Sequence, residues 1–290
     1  MQIKALACEL PASQGLPLSR LSCADIAREA RRCGLVATIS DRTVWRWLHE
    51  DAIRPWQHRC WIFPRDPEFT HKAGRILDLY ARQWDGKLLG TNEFVISADE
   101  KTSIQARHRK QSTLPTKPAQ PMRVEHEYER CGALAYLAPL DVHRAKLFGR
   151  CEPSTGITAF DRLVAQVMNQ APYRDAQRVF WIIDNGSSHR GANCVRRLQA
   201  AYPNLVPVHG PVHASWLNQI EIYFSIVQRK VLKPNDFPST AALEERLMSF
   251  QEYYEQIATP FQWRFPRDDL HALMNRLNTQ KSEHQLRQAA

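Results

Sequence analysis

Two short apolar runs, each ending in an aspartate, constrain this chain more than any other feature. Phe180-Trp181-Ile182-Ile183 runs into Asp184-Asn185, and Phe94-Val95-Ile96-Ser97-Ala98 runs into Asp99. Runs of this length and composition read as buried strands. In open α/β sheets functional groups gather beyond the carboxyl ends of strands, and both aspartates are expected at such an end. A carboxylate where a buried strand emerges is costly unless it is paired or holds a metal. Taken singly, either aspartate could equally be a turn former or a helix cap.

A third acid changes the balance. Glu221 follows Asp184 with 36 residues between them, and 84 residues separate Asp99 from Asp184. Trp216, Ile220, Phe224, Val227 and Val231 recur at steps of three and four, which predicts a helix over 215–231 with a continuous apolar stripe. Ser215, Asn218, Glu221, Ser225 and Arg229 fall on a second, polar stripe, with Asn218 one turn before Glu221. Asp99, Asp184 and Glu221 together would form a hard-oxygen site for magnesium, with manganese as a substitute. With two ions about 4 Å apart, one would activate the attacking water or 3′-hydroxyl and the other the leaving oxygen, so no side chain need act as a nucleophile. Other acids have simpler roles: Glu100 would point to the opposite strand face, and Asp141 and Asp161 fall at a turn and a helix start. His189, five residues after Asp184, could assist a leaving group or contact phosphate, or simply cap or pack a helix.

Charge points to a polyanion. The 290 residues carry 39 Lys and Arg against 30 Asp and Glu, a formal net charge of +9, which favours nucleic acid as partner. The seven cysteines are odd in number and widely spaced, with no C-x-x-C, so neither a disulfide framework nor a zinc ribbon is supported. Reduced thiols in a cytosolic protein are the simple account. The N-terminus lacks the apolar core of a signal peptide, and no apolar run approaches membrane-spanning length.

Three regions are expected: a helical region with linker over 1–90, an α/β region over 91–280 and a polar tail over 281–290. In the first, Ser22 and Ser40 read as caps of two helices, the second bearing Val44, Trp47 and Leu48 on one side and Arg42, Arg46 and His49 elsewhere. Such a pair suggests a helix-turn-helix whose second helix enters the major groove, although the connection from Gly34 to Ser40 is longer than usual; a small helical bundle with a solvated basic face is the alternative. A further helix is expected over 73–84. Lys101 to Val124 contains no Asp or Glu, carries Arg107, Arg109 and Lys110 among its cations, and is punctuated by Pro115, Pro118 and Pro121. It reads as a basic loop able to track a phosphate backbone, or as a solvated charged loop. The remaining order of strands and helices predicts a mixed sheet with helices on its faces.

Asp99-Glu100-Lys101-Thr102, Asp184-Asn185 with His189, and His213-Ala214-Ser215-Trp216-Leu217-Asn218-Gln219-Ile220-Glu221 resemble the bacterial insertion-sequence transposases of family 630, relatives of the mariner transposases. The resemblance spans nearly the whole chain, from about Met1 to Arg276. It implies a ribonuclease-H-like domain with Asp99, Asp184 and Glu221 as metal-binding triad, supported by Asn185, His189 and Asn218. It also implies hydrolytic release of element ends, transfer of 3′-hydroxyls into target DNA at a deformable TA step, and a homodimer on terminal inverted repeats. Such proteins usually begin with another helix-turn-helix, whereas this chain opens at what resembles the linker and second module. A non-catalytic DNA-binding remnant that represses transposition, and a ribonuclease-H-like nuclease without strand transfer, are the competing readings.

Overall fold

The computed structural model describes residues 1–58, 64–186 and 191–289, and the chain divides into two compact units, Met1–Phe63 and Pro64–Ala290. In the first, α1 (Gln2–Cys8), α2 (Cys23–Arg32) and α3 (Asp41–Glu50) enclose a small core of Ile3, Leu21, Ile26, Ala30, Val44 and Leu48. Local sequence sets the boundaries. Ser22 and Asp25 form a reciprocal capping box at the start of α2, and Ser40 accepts from Thr43 N–H at the start of α3. Gly34 ends α2 in the left-handed region (φ 70°), a conformation that costs a side chain energy and glycine little.

The second unit begins with α4 (Phe69–Tyr80), which stops short of the expected Trp84. Gln83–Trp84 and Lys87–Leu88 instead form a hairpin, β1 and β2, through an Asp85-Gly86 turn with positive φ at both residues. The sheet follows: β3 (Glu93–Arg109), β4 (Tyr128–Asp141), β5 (Lys146–Leu147), β6 (Arg150–Glu152), β7 (Arg178–Ile183) and β8 (Leu205–His209). Their order is β5-β4-β3-β7-β8, with β6 also on β4. β3 and β4 are antiparallel, while β3, β7 and β8 run parallel.

Period-two alternation divides the core between the sheet faces. Ile96, Val179, Trp181 and Ile183 pack against α5 (Ile157–Met168) and α6 (Gly191–Ala201). Val95, Phe180 and Ile182 face the opposite way, onto Ile76 and Leu79 of α4. Beside them Tyr136, Ala138 and Leu140 of β4 pack under α7 (Ile220–Lys230) and α8 (Thr240–Glu255). α9 (Arg267–Ala289) returns to α4, where Leu270 joins Phe69 and Leu77. No helix of the described residues is long and apolar enough to cross a membrane, and six described cysteines are unpaired.

Two further expected elements differ from those observed. The basic loop over 101–124 is strand as far as Arg109, because β4 supplies ladder partners out to Tyr128; only the proline-bearing tip is irregular. Helix 215–231 is broken. A short 3-10 turn over Ser215–Leu217 ends at Asn218, whose extended backbone (ψ 113°) stops it, and α7 starts anew at Ile220. Trp216 therefore packs near Phe265 rather than continuing the Ile220 stripe, and Asn218 is buried instead of lying on a polar face.

Behind the sheet, the hydroxyl of Tyr136 and the amide N–H of Gly149 both bond to Gln251 Oε1 (2.9 and 2.7 Å). A Cβ at Gly149 would overlap Gln251 Oε1 and the Tyr136 hydroxyl. Gly149→Ala is therefore expected to destabilise the protein by about 1–3 kcal/mol. A lowered melting temperature checks this; an unchanged one would mean that Gln251 moves aside freely.

Candidate active site

Asp99 does not end a strand. It lies within β3, opposite Ala138 of β4, two residues beyond the last parallel pairing with β7, Ser97 with Ile182. β7 terminates at Ile183, so β3 beyond Ser97 is flanked by a strand on the β4 side only. Asp184 follows β7 directly and accepts from Gly186 N–H (2.7 Å). Asn185 Nδ2 donates to Gly210 O (2.6 Å), and Gly210 N–H to Ile183 O (2.8 Å), which clamps the ends of β7 and β8 together. Glu221 stands in the first turn of α7.

The three carboxylates are close enough to repel one another. Burial pushes the Asp99 carboxyl up to about 7; repulsion from Asp184, Glu100 and Glu221 adds to the rise, and the Glu100 N–H (2.8 Å) opposes it. Burial also raises Glu221, with repulsion from Asp184 added and attraction from Lys101 set against it. Among the described residues no three His, Cys, Asp or Glu side chains are near enough as placed to enclose an ion. The donor set still fits a hard divalent cation: all donors are carboxylate oxygens, and their mutual repulsion is what such a charge would offset. Beside them opens a cleft of about 330 Å³, lined by Asp184, Gly186, His213, Ser215 and Asn218 among others.

What holds Glu221 near Asp99 is a helix start capped from afar. Gln219, the N-cap of α7, offers no side-chain cap. Instead Gln219 N–H donates to the Tyr80 hydroxyl (3.2 Å) and Ile220 N–H to Ser97 Oγ (2.9 Å). Tyr80 in turn donates to Leu217 O (2.7 Å), and Ser97 donates to Asn218 Oδ1. Asn218 Nδ2 donates to Ala98 O (2.9 Å) and lies 3.4 Å from Asp99 Oδ2. Hydroxyls from α4 and β3 thus satisfy N–H groups that a helix leaves open at its start. Sequence reasoning missed Tyr80 and Ser97. A serine inside an apolar strand was the available signal, since a buried hydroxyl requires a partner.

The other expected residues are placed as follows. Asp141 is buried and accepts from His143 N–H, Arg144 N–H and the Tyr173 hydroxyl, as a turn former would. Asp161 pairs with Arg197 (3.1 Å). His189 lies outside the described residues. Arg42, Arg46 and His49 are all exposed on α3, where Trp45 stacks on His49 at 4.7 Å. Arg109 is engaged within its own unit: its guanidinium donates to Asn235 O, Glu125 O and His126 O. Arg107 lies over the Tyr128 ring, and Lys110 is exposed.

A mixed sheet with this strand order and carboxylates at its open edge is a ribonuclease-H-like fold. The family model described as DDE superfamily endonuclease matches residues 95–244, just over half of the chain, and the chain belongs to that family. Among solved structures, the Mos1 mariner paired-end complex with Mn is similar at 15% identity and a TM-score of 0.54, covering 96% of this chain and 76% of that one. The pre-cleavage Mos1 transpososome gives 15% and 0.53 over the same shares, and the Mos1 strand transfer complex 14% and 0.52 over 96% and 75%. At such identities the likeness is one of fold. No curated protein matches the sequence.

Two outcomes test the site. Tyr80→Phe leaves the Gln219 N–H and Ser97→Ala the Ile220 N–H without its partner, and each should destabilise the second unit by about 1–3 kcal/mol, read by denaturant unfolding. Asp99 gives a pH effect. Its raised pKa means that, as pH climbs from about 4 to about 7, the folded metal-free protein retains a proton the unfolded chain has released, so stability falls across that window. Asp99→Asn should flatten this fall and raise the melting temperature at pH 8; an unaltered pH profile would show that Asp99 is not held in a desolvated, repulsive setting.

Proposed function

We propose that this protein is a DNA transposase of the insertion-sequence type resembling family 630. It would cleave DNA at the ends of a mobile element and join the freed 3′-hydroxyls to target DNA. The observation that carries this reading is the placement of Asp99 within β3, Asp184 directly after β7 and Glu221 in the first turn of α7, inside a DDE superfamily endonuclease domain. Acids so arranged gain nothing from one another without a cation.

Asp99, Asp184 and Glu221 would hold magnesium, or manganese in its place. Bound there, the metal would supply activation of the attacking oxygen and stabilisation of the leaving one. The chain's own part is positional. β3 and the end of β7 present two carboxylates from a rigid ladder, and the hydroxyl-capped start of α7 presents the third. Asn218 steadies Asp99, and Asn185 fixes the strand end that carries Asp184. Solved Mos1 mariner complexes include paired-end, pre-cleavage and strand-transfer forms, with Mn in one and Mg in another. Likeness to these complexes supports transposon-end DNA as the substrate here, and the reading extends this to terminal inverted repeats and target DNA bound by a homodimer.

The first unit would contribute sequence-reading contacts. Arg42, Arg46 and His49 stand at helical spacing on one exposed side of α3, as a major-groove helix requires. The +9 charge supports a polyanionic partner.

The test is incubation of labelled DNA carrying the element's terminal repeat with the protein and Mg²⁺. Cleaved and joined products are expected from the wild type, with a loss of about 100-fold or more in Asp184→Asn and Glu221→Gln at nearly unchanged DNA affinity. Undiminished cleavage by purified Asp184→Asn protein would refute the triad. Binding without cleavage by the wild type would favour a DNA-binding remnant.

A further inference from the structure

Beyond Asp99 the strand β3 does something unusual. Its ladder with β4 slips between Lys101 and Ile104, and Ser103 takes a positive φ of 52°. Such a bulge adds a residue to one strand and re-aims its side chains. The space it opens, about 540 Å³, lies between the distal half of β3 and the segment that leaves α7. Four cations line it: Lys101, Arg107, Arg109 and Lys233, with Gln228 and Asn235 beside them. No carboxylate is among the described lining residues. Asp236, next in the chain, is turned to Arg109 N–H (3.0 Å) and the Thr113 hydroxyl (3.5 Å).

The groove is built rather than incidental. Asn235 Oδ1 accepts from Arg107 N–H (3.0 Å), its Nδ2 donates to Gln105 O (2.7 Å), and Phe237 N–H donates to Arg107 O (2.8 Å), so the far wall is bonded to β3. Arg107 rests its guanidinium on Tyr128, and its buried Nε has no hydrogen-bond partner among the described residues. A buried donor of that kind calls for an acceptor.

The groove also communicates with the carboxylates. Lys101 lines it, and the charge of Lys101 acts on Glu221. Glu221, Ser225 and Gln228 follow at steps of four and three on one side of α7, so that side leads from the carboxylates to the groove over about 10 Å. A strand whose scissile phosphate sat at the carboxylates could place neighbouring phosphates along it.

We propose that this groove is a phosphate track, in which Lys101 and Lys233, with Arg107 at its floor, bind the backbone of the DNA strand running away from the cleavage point. The choice of DNA rests on the function proposed above; the groove's affinity for a phosphodiester chain rests on its own residues. In this arrangement the strand, not the proline-bearing loop tip, carries the backbone contacts, and Lys110 is peripheral.

The 290-residue protein is titrated against a labelled DNA duplex without divalent metal, over a range of salt, so that cleavage plays no part. Each phosphate contact contributes about 0.9 to the slope of log affinity on log salt. The double variant Lys101→Gln, Lys233→Gln should lower the slope magnitude by about 1.8. Removing two exposed cations elsewhere in the unit, by Lys146→Gln and Arg246→Gln, should leave it nearly unchanged. Equal falls in the two double variants would overturn the proposal, since only net charge would then matter. A second reading on the wild type guards against misfolding: acetylation of Lys101 and Lys233 should slow several-fold when DNA is added, and unaltered rates would overturn the proposal. Absence of cleavage by the wild type would count against the transposase reading alone.

Discussion

The arrangement of the second unit depends on the hydrogen bonds that start α7. An α-helix leaves its first N–H groups without partners, and the usual remedy is a polar side chain immediately before it. Here the break at Asn218 leaves Gln219 and Ile220 with no local cap, and the hydroxyls of Tyr80 and Ser97 take that place from two other elements. Each hydroxyl serves twice, accepting from the new helix and donating to the turn before it. The register of α7 against β3 is therefore set by paired polar groups inside a largely apolar setting. Packing alone tolerates small slides; buried hydrogen bonds do not, because each lost partner costs about 1–3 kcal/mol.

That precision has a purpose where charges meet. Asp99 is desolvated and faces other carboxylates, a disposition that disfavours its ionised form. The fold holds it there through an antiparallel ladder on one side and Asn218 on the other. The end of β7 is held just as firmly by Asn185 and Gly210. Rigid supports around an electrostatically unfavourable cluster fit a site prepared for a cation or a reacting group.

Much of the sheet was legible beforehand. Val179 to Ile183 and Phe94 to Ala98 are apolar, flanked by polar residues, and short enough to be strands, and both are strands. Ser22, Gly34 and Ser40 mark helix ends through local chemistry, and the structure places them so. Where the reading failed, distant partners decided. Residues 101–109 carry the composition of a loop but pair with β4, and a ladder partner some twenty to forty residues away leaves no local trace. The apolar period through Trp216 and Ile220 suggested one helix, yet Trp216 and Ile220 belong to different cores.

By itself, the sequence determined the alternation that buries one face of each strand against helices, the caps that begin α2 and α3, the cationic excess, and the three acids at the ends or flanks of apolar runs. These follow from nearest neighbours and from composition. Tertiary structure alone decided that Asp99 lies within a strand, that α7 begins at Ile220, that Tyr80 and Ser97 cap it, and that a bulge at Ser103 opens a cationic groove beside Gln228 and Lys233. Each of these depends on groups far apart in the chain satisfying one another's hydrogen bonds or charge, and such partners meet only once the sheet has formed.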